Sequence, residues 1–207
     1  VAVLAGVTCF WAAILVAGAL EPGYASRRDY VSTLAARGAA HPWLAMLGIV
    51  AAAGAMVAAS LLLRSVSRAA AVTVALAGAG FLVVAFTRLD CANGAAGCGL
   101  GGRFEVSGST EIGHWTATTV SSVLLIAGIA LTGVALVRRG RRAAGIASLA
   151  AAAVVTGAFL ATGGDLPGRM QRIGIVVATG WLAALALVAL ERTRADRAPR
   201  ARRKRIE

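Results

Sequence analysis

"WLAMLGIVAAAGAMVAASLLLRSVSRAAAVTVALAGAGFLVVAFT" (43–87) holds two apolar runs, each about as long as a bilayer-crossing helix, separated by a link whose only charges are Arg64 and Arg68. Each run is apolar on every side, without the polar stripe of a soluble surface helix. The same pattern recurs along the chain. Charges used as punctuation delimit six spans, at about 1–20, 43–63, 69–87, 112–137, 144–162 and 173–190. With 58% hydrophobic and only 14% charged residues, a soluble fold would have to expose large apolar patches, and that class is excluded. Backbone polar groups in lipid must be satisfied within each segment, so the spans are helices. The expected fold is all-α: a polytopic membrane protein, a six-transmembrane-helix bundle over 1–190 followed by a basic tail over 191–207. The first span has no basic n-region and is too long for a signal-peptide core, so it is expected to remain as a helix.

Basic residues set the expected orientation. The links "RSVSRAA" and "VRRGRRAAG" carry six arginines and no acid, and the tail adds eight basic residues against three acidic ones. The connections 21–42, 88–111 and 163–172 carry seven arginines but also six acids and His41, and His114 lies three residues beyond the second of them. The positive-inside rule then puts both termini in the cytoplasm and the long connections outside, in a prokaryotic cytoplasmic (inner) membrane. The net charge of +12 resides almost wholly on the cytoplasmic side and reads as a topology and anionic-lipid signal. Nucleic acid is not an expected partner, since the tail "RTRADRAPRARRKRIE" has no aromatic residue to stack on bases.

The outer connections hold the candidate site. In "RLDCANGAAGCG" (88–99), Cys91 and Cys98 bracket a glycine-rich loop in an oxidising compartment, and a disulfide is expected. In "STEIGHWTATTVSS" (109–122), Glu111, His114, Thr118 and Ser121 share one helix face, a polar stripe descending from the outer surface. The first loop reads as a short interfacial helix, "DYVSTLAARG" (29–38), capped by Asp29 or Ser26, ended by Gly38, with Val31, Leu34 and Ala35 toward the bundle. Pro42 starts the second helix with His41 at its mouth. In "GGDLPGRMQRIG" (163–174), Asp165 reads as an N-cap within reach of Arg169, and Arg169 and Arg172 lie on one side of the sixth helix, as a clamp for a phosphate or carboxylate or as headgroup anchors.

Three segments, "YVSTLAARGAAHPWLAMLG" (30–48), "FTRLDCANGAAGCG" (86–99) with "EIGHWTATTVSS" (111–122), and "LPGRMQRIGIVVATGWLAALAL" (166–187), resemble the hallmark stretches of the DUF998 family, six-helix prokaryotic membrane proteins. The resemblance covers nearly the whole chain through Ser32 and Leu34, Arg88 and Asp90, His114, and Gly168 and Arg172. The family pattern often opens the fourth helix with two adjacent histidines, whereas here Trp115 follows His114, which counts against chemistry needing two imidazoles.

Asp29, Ser32, His41, Arg88, Asp90, Glu111, His114, Thr118, Asp165, Arg169 and Arg172 are therefore expected to line an extracytoplasmic polar pocket for a lipid or an amphipathic or anionic small ligand. A competing reading makes His114 a base oriented by Asp90, with Ser32 as nucleophile, in a lipid hydrolase or transferase. No Gly-x-Ser-x-Gly, His-Glu-x-x-His or P-loop pattern supports it, and no cofactor or metal is expected. A third reading is an accessory subunit that docks a membrane protein partner or a second copy of itself.

Overall fold

Charge punctuation and helix ends agree within three residues for the first five spans, while the sixth helix begins at Pro167, before the expected 173. The computed structural model describes residues 1–90 and 109–203, those from 192 onward as backbone only, and contains six long helices: α1 (Ala2–Leu20), α2 (Pro42–Leu63), α3 (Arg68–Phe86), α4 (Ser109–Arg138), α5 (Arg142–Leu160) and α6 (Pro167–Arg203). There is no strand among the described residues. All six are long and apolar enough to cross a membrane. Even the shortest, at 19 residues, extends about 28 Å at 1.5 Å per residue, close to a hydrocarbon core of about 30 Å. Side chains such as Leu15, Phe86 and Leu160, 66%, 68% and 74% exposed, point away from the bundle, which only a lipid surround makes favourable.

Consecutive helices lie side by side, and α6 closes the array against α5, α1 and α2. Small residues let the backbones approach. A Cβ on Gly145 of α5 would lie 2.7 Å from the Gly133 carbonyl oxygen of α4. Dispersion between closely packed backbones, rather than expulsion of water, holds such pairs together in lipid. One buried cluster, around Leu63, Val74, Ile129 and Leu182, fills the half nearer the arginine-rich links. A second, around Phe10, Ile14, Leu34, Ile49 and Val84, fills the half nearer the long connections. At the arginine-rich end, the Ser67 side chain accepts from the Ala70 N–H to cap α3, and Arg139 Nη1 donates to the Ser65 carbonyl at 2.6 Å, tying the two short links together.

The short helix expected in the first loop is present, as a 3-10 helix over Val31–Ala35 that is shorter than the 29–38 segment. Its burial is as expected, with Val31, Leu34 and Ala35 at 4%, 1% and 3% exposure, and Gly38 adopts φ +86 just beyond it. Propagation stops because the carbonyls of Ala35 and Ala36 accept from the Arg88 guanidinium and the Arg37 N–H donates to Leu89. α6 continues past residue 190 as helix to Arg203. Cys91 and Cys98 lie outside the described residues.

Candidate functional site

The start of α6 is built on the first loop. The N–H groups of Gly168 and Arg169, in the first helical turn, donate to the carbonyls of Arg28 (3.3 Å) and Arg27 (2.9 Å). Asp165 is exposed and neither caps the helix nor pairs with Arg169, contrary to the sequence expectation, because loop carbonyls already occupy those donors. Gly168 permits the approach: a Cβ there would lie 2.8 Å from both the carbonyl carbon and the nitrogen of Asp29. One turn on, Arg172 Nη1 donates to the carbonyls of Ser26 (2.5 Å), Asp29 (2.9 Å) and Gly168 (3.0 Å), while Nη2 donates to the Tyr24 hydroxyl. Arg172 is thus a strut inside the protein, and it forms no two-arginine clamp with exposed Arg169. The buried Asp29 carboxylate accepts from Ala25 N–H at 2.6 Å, turning the loop instead of capping the 3-10 helix. Burial pushes the Tyr24 phenol above its ordinary 10.0 despite the opposing pull of Arg172, and burial likewise raises Tyr30, whose hydroxyl donates to Thr162 O at 2.9 Å.

The exit of α3 is stitched to the same loop. Arg88 holds the Ala35 and Ala36 carbonyls at 2.9 Å each, and Asp90 pairs with Arg37 at 3.4 Å. The proposed Asp90–His114 dyad is therefore not formed. His114, 1% exposed, instead directs Nδ1 to the Thr87 carbonyl, so that nitrogen carries the proton and donates. Its Nε2, together with Thr118 Oγ1 and Ser121 Oγ, is buried without a hydrogen-bond partner. These atoms belong to the stripe read from helical spacing, now set against α3: Ser121 packs on Gly80, where a Cβ would collide with its hydroxyl. Among the described residues, no group of His, Cys, Asp and Glu could hold a metal ion.

Beside this stripe is a cavity of about 290 Å³. Thr118, Thr119 and Ser122 of α4 face Val155 and Phe159 of α5 and Met170, Gln171 and Gly174 of α6 across it, with Phe81 of α3 and Tyr30 of the first loop completing the wall. Tyr30 meets Trp115, another wall residue, edge to face at 5.5 Å. Gln171 is oriented by its Oε1, which accepts from Val31 N–H at 2.6 Å.

Of the eleven predicted ligand residues, Thr118 alone lines this cavity. Arg172 and Asp29 brace the α6 start, Arg88 braces the 3-10 turn, Ser32 is buried within that turn, and His41, Asp165 and Arg169 are exposed. Glu111 and His114 lie higher on the α4 stripe, outside the cavity wall. Tyr30, Ser122 and Gln171 are among the wall residues that were not predicted as ligand residues. A signal existed for the last, since it is the sole glutamine in a chain of this composition.

Six helices long and apolar enough to cross a membrane, with a largely apolar cavity between α4, α5 and α6, define a polytopic integral membrane protein. Its family follows from comparison. The chain belongs to the DUF998 family, described as a protein of unknown function, whose model matches residues 4–188. No curated protein and no solved structure matches it.

Proposed function

We propose that this protein binds a lipid or another amphipathic molecule in the cavity between α4, α5 and α6, at the outer side of a prokaryotic cytoplasmic membrane and with both termini inside. The observation that carries the reading is the cavity wall, which is mostly apolar with a few polar side chains such as Thr119, Ser122 and Gln171. Apolar walls with a few fixed polar groups are the usual makeup of small-molecule pockets. The arginine-rich links support the orientation.

The test is native mass spectrometry of protein extracted in mild detergent, beside Ser122→Phe, which would fill the cavity from its wall. The expected result is a defined mass retained by the wild type and absent from the variant. Identical adducts on both proteins would refute the assignment. Reporter fusions at the C terminus and in the 163–166 turn check the orientation. In this orientation the Cys91–Cys98 bridge expected from sequence predicts thiol labelling of that segment only after reduction.

A further inference from the structure

Granting that the cavity binds an amphipathic molecule, we infer that its ligand is an uncharged single-chain lipid whose polar end is a hydroxyl or an ester, such as a long-chain alcohol or a monoacylglycerol. The cavity wall has no Arg, Lys, Asp, Glu or His among the described residues. The cations nearest in the fold are committed elsewhere: Arg172 to three carbonyls and Tyr24, Arg88 to Ala35 and Ala36, Arg37 to Asp90. Arg27, Arg28 and Arg169 are exposed. A phosphate or carboxylate drawn into the cavity would lose its hydration and meet no countercharge, a penalty far larger than that of burying a hydroxyl.

The polar groups present suit a neutral head. The hydroxyl of Ser122 can donate and accept, and Gln171, with its oxygen held by Val31 N–H, keeps two amide donors. An alcohol answers the first with its own donor and acceptor, and an ester carbonyl answers the second. Size sets the chain number. An engineered cavity of about 150 Å³ takes one benzene, so about 290 Å³ has room for one chain segment of roughly a dozen carbons. A second acyl chain would have to lie outside it.

The experiment uses the full-length protein in detergent and a dodecanol bearing a diazirine as photoprobe, with two competitors that differ by one phosphate: monolauroylglycerol and monolauroylglycerol phosphate. The expected result is labelling of α4, α5 or α6 peptides, displaced by the uncharged competitor at least tenfold more effectively than by the phosphate. Ser122→Ala, which removes a wall hydroxyl, should weaken labelling about tenfold. Equal displacement by both competitors would overturn the neutral-head inference and leave lipid binding standing. Labelling of wild type no greater than that of a folded Ser122→Phe variant would overturn the binding reading, and this inference with it. Unchanged labelling of Ser122→Ala would overturn recognition of the ligand's polar end by a wall hydroxyl.

Discussion

Gly168→Ala adds one methyl group where two backbones meet. Its Cβ would lie 2.8 Å from the Asp29 nitrogen and carbonyl carbon, and backbone cannot swing aside as a flexible side chain can. Either the overlap persists, at roughly 1–3 kcal/mol for overpacking, or the first turn of α6 withdraws from the loop. Withdrawal weakens the Gly168–Arg28 and Arg169–Arg27 hydrogen bonds, at about 0.5–1.5 kcal/mol each, and lengthens the charge-assisted bonds from Arg172 to Ser26 and Asp29. Alanine's better helix propensity returns at most about 1 kcal/mol. The expected net loss is about 2–3 kcal/mol, read as a shift in the unfolding midpoint when the dodecyl sulfate fraction is raised in mixed micelles and followed by circular dichroism. Gly54→Ala is the control: a Cβ there meets nothing within 4 Å, so the same substitution in α2 should be neutral or slightly stabilising. Stability of Gly168→Ala within about 0.5 kcal/mol of wild type, below every contribution just summed, or an equal loss in Gly54→Ala, would refute the close-approach reasoning.

Other perturbations separate the roles assigned above. Arg172→Lys keeps the charge but cannot reach three carbonyls and Tyr24 with one planar group, so it should lower the unfolding midpoint clearly, by about 2 kcal/mol or more. Asp90→Asn removes a half-exposed ion pair with Arg37 and should change stability by less than about 1 kcal/mol; a large loss of ligand retention in that variant would revive the Asp90–His114 dyad. Burial raises both Tyr24 and Tyr30 above their ordinary 10.0, so the fold favours the neutral phenols. Their stabilisation is complete below about pH 10 and is lost as pH rises through the raised folded-state values. Alkaline titration of the unfolding midpoint should show that loss, and Tyr24→Phe should reduce it.

Helix number, the lipid-facing surface and the ends of most spans were legible in the residue order, because in a bilayer each helix satisfies its own backbone and its limits follow from local charge and apolar run length. The α4 stripe was legible for the same reason, since the relation of His114, Thr118 and Ser121 depends only on helical pitch. Which elements meet was not legible. Asp165 has every local feature of a cap, yet the carbonyls of Arg27 and Arg28, some 140 residues away in the chain, reach the α6 donors first. Arg172 resembled an anion ligand until the loop folded the carbonyls of Ser26 and Asp29 around it. Polar residues at one end of a bundle can turn toward a common cavity or toward one another, and spacing along the chain carries no term for that choice. Packing decided it: the ionic groups braced the loop, and the cavity was left to Thr118, Gln171 and aromatic walls.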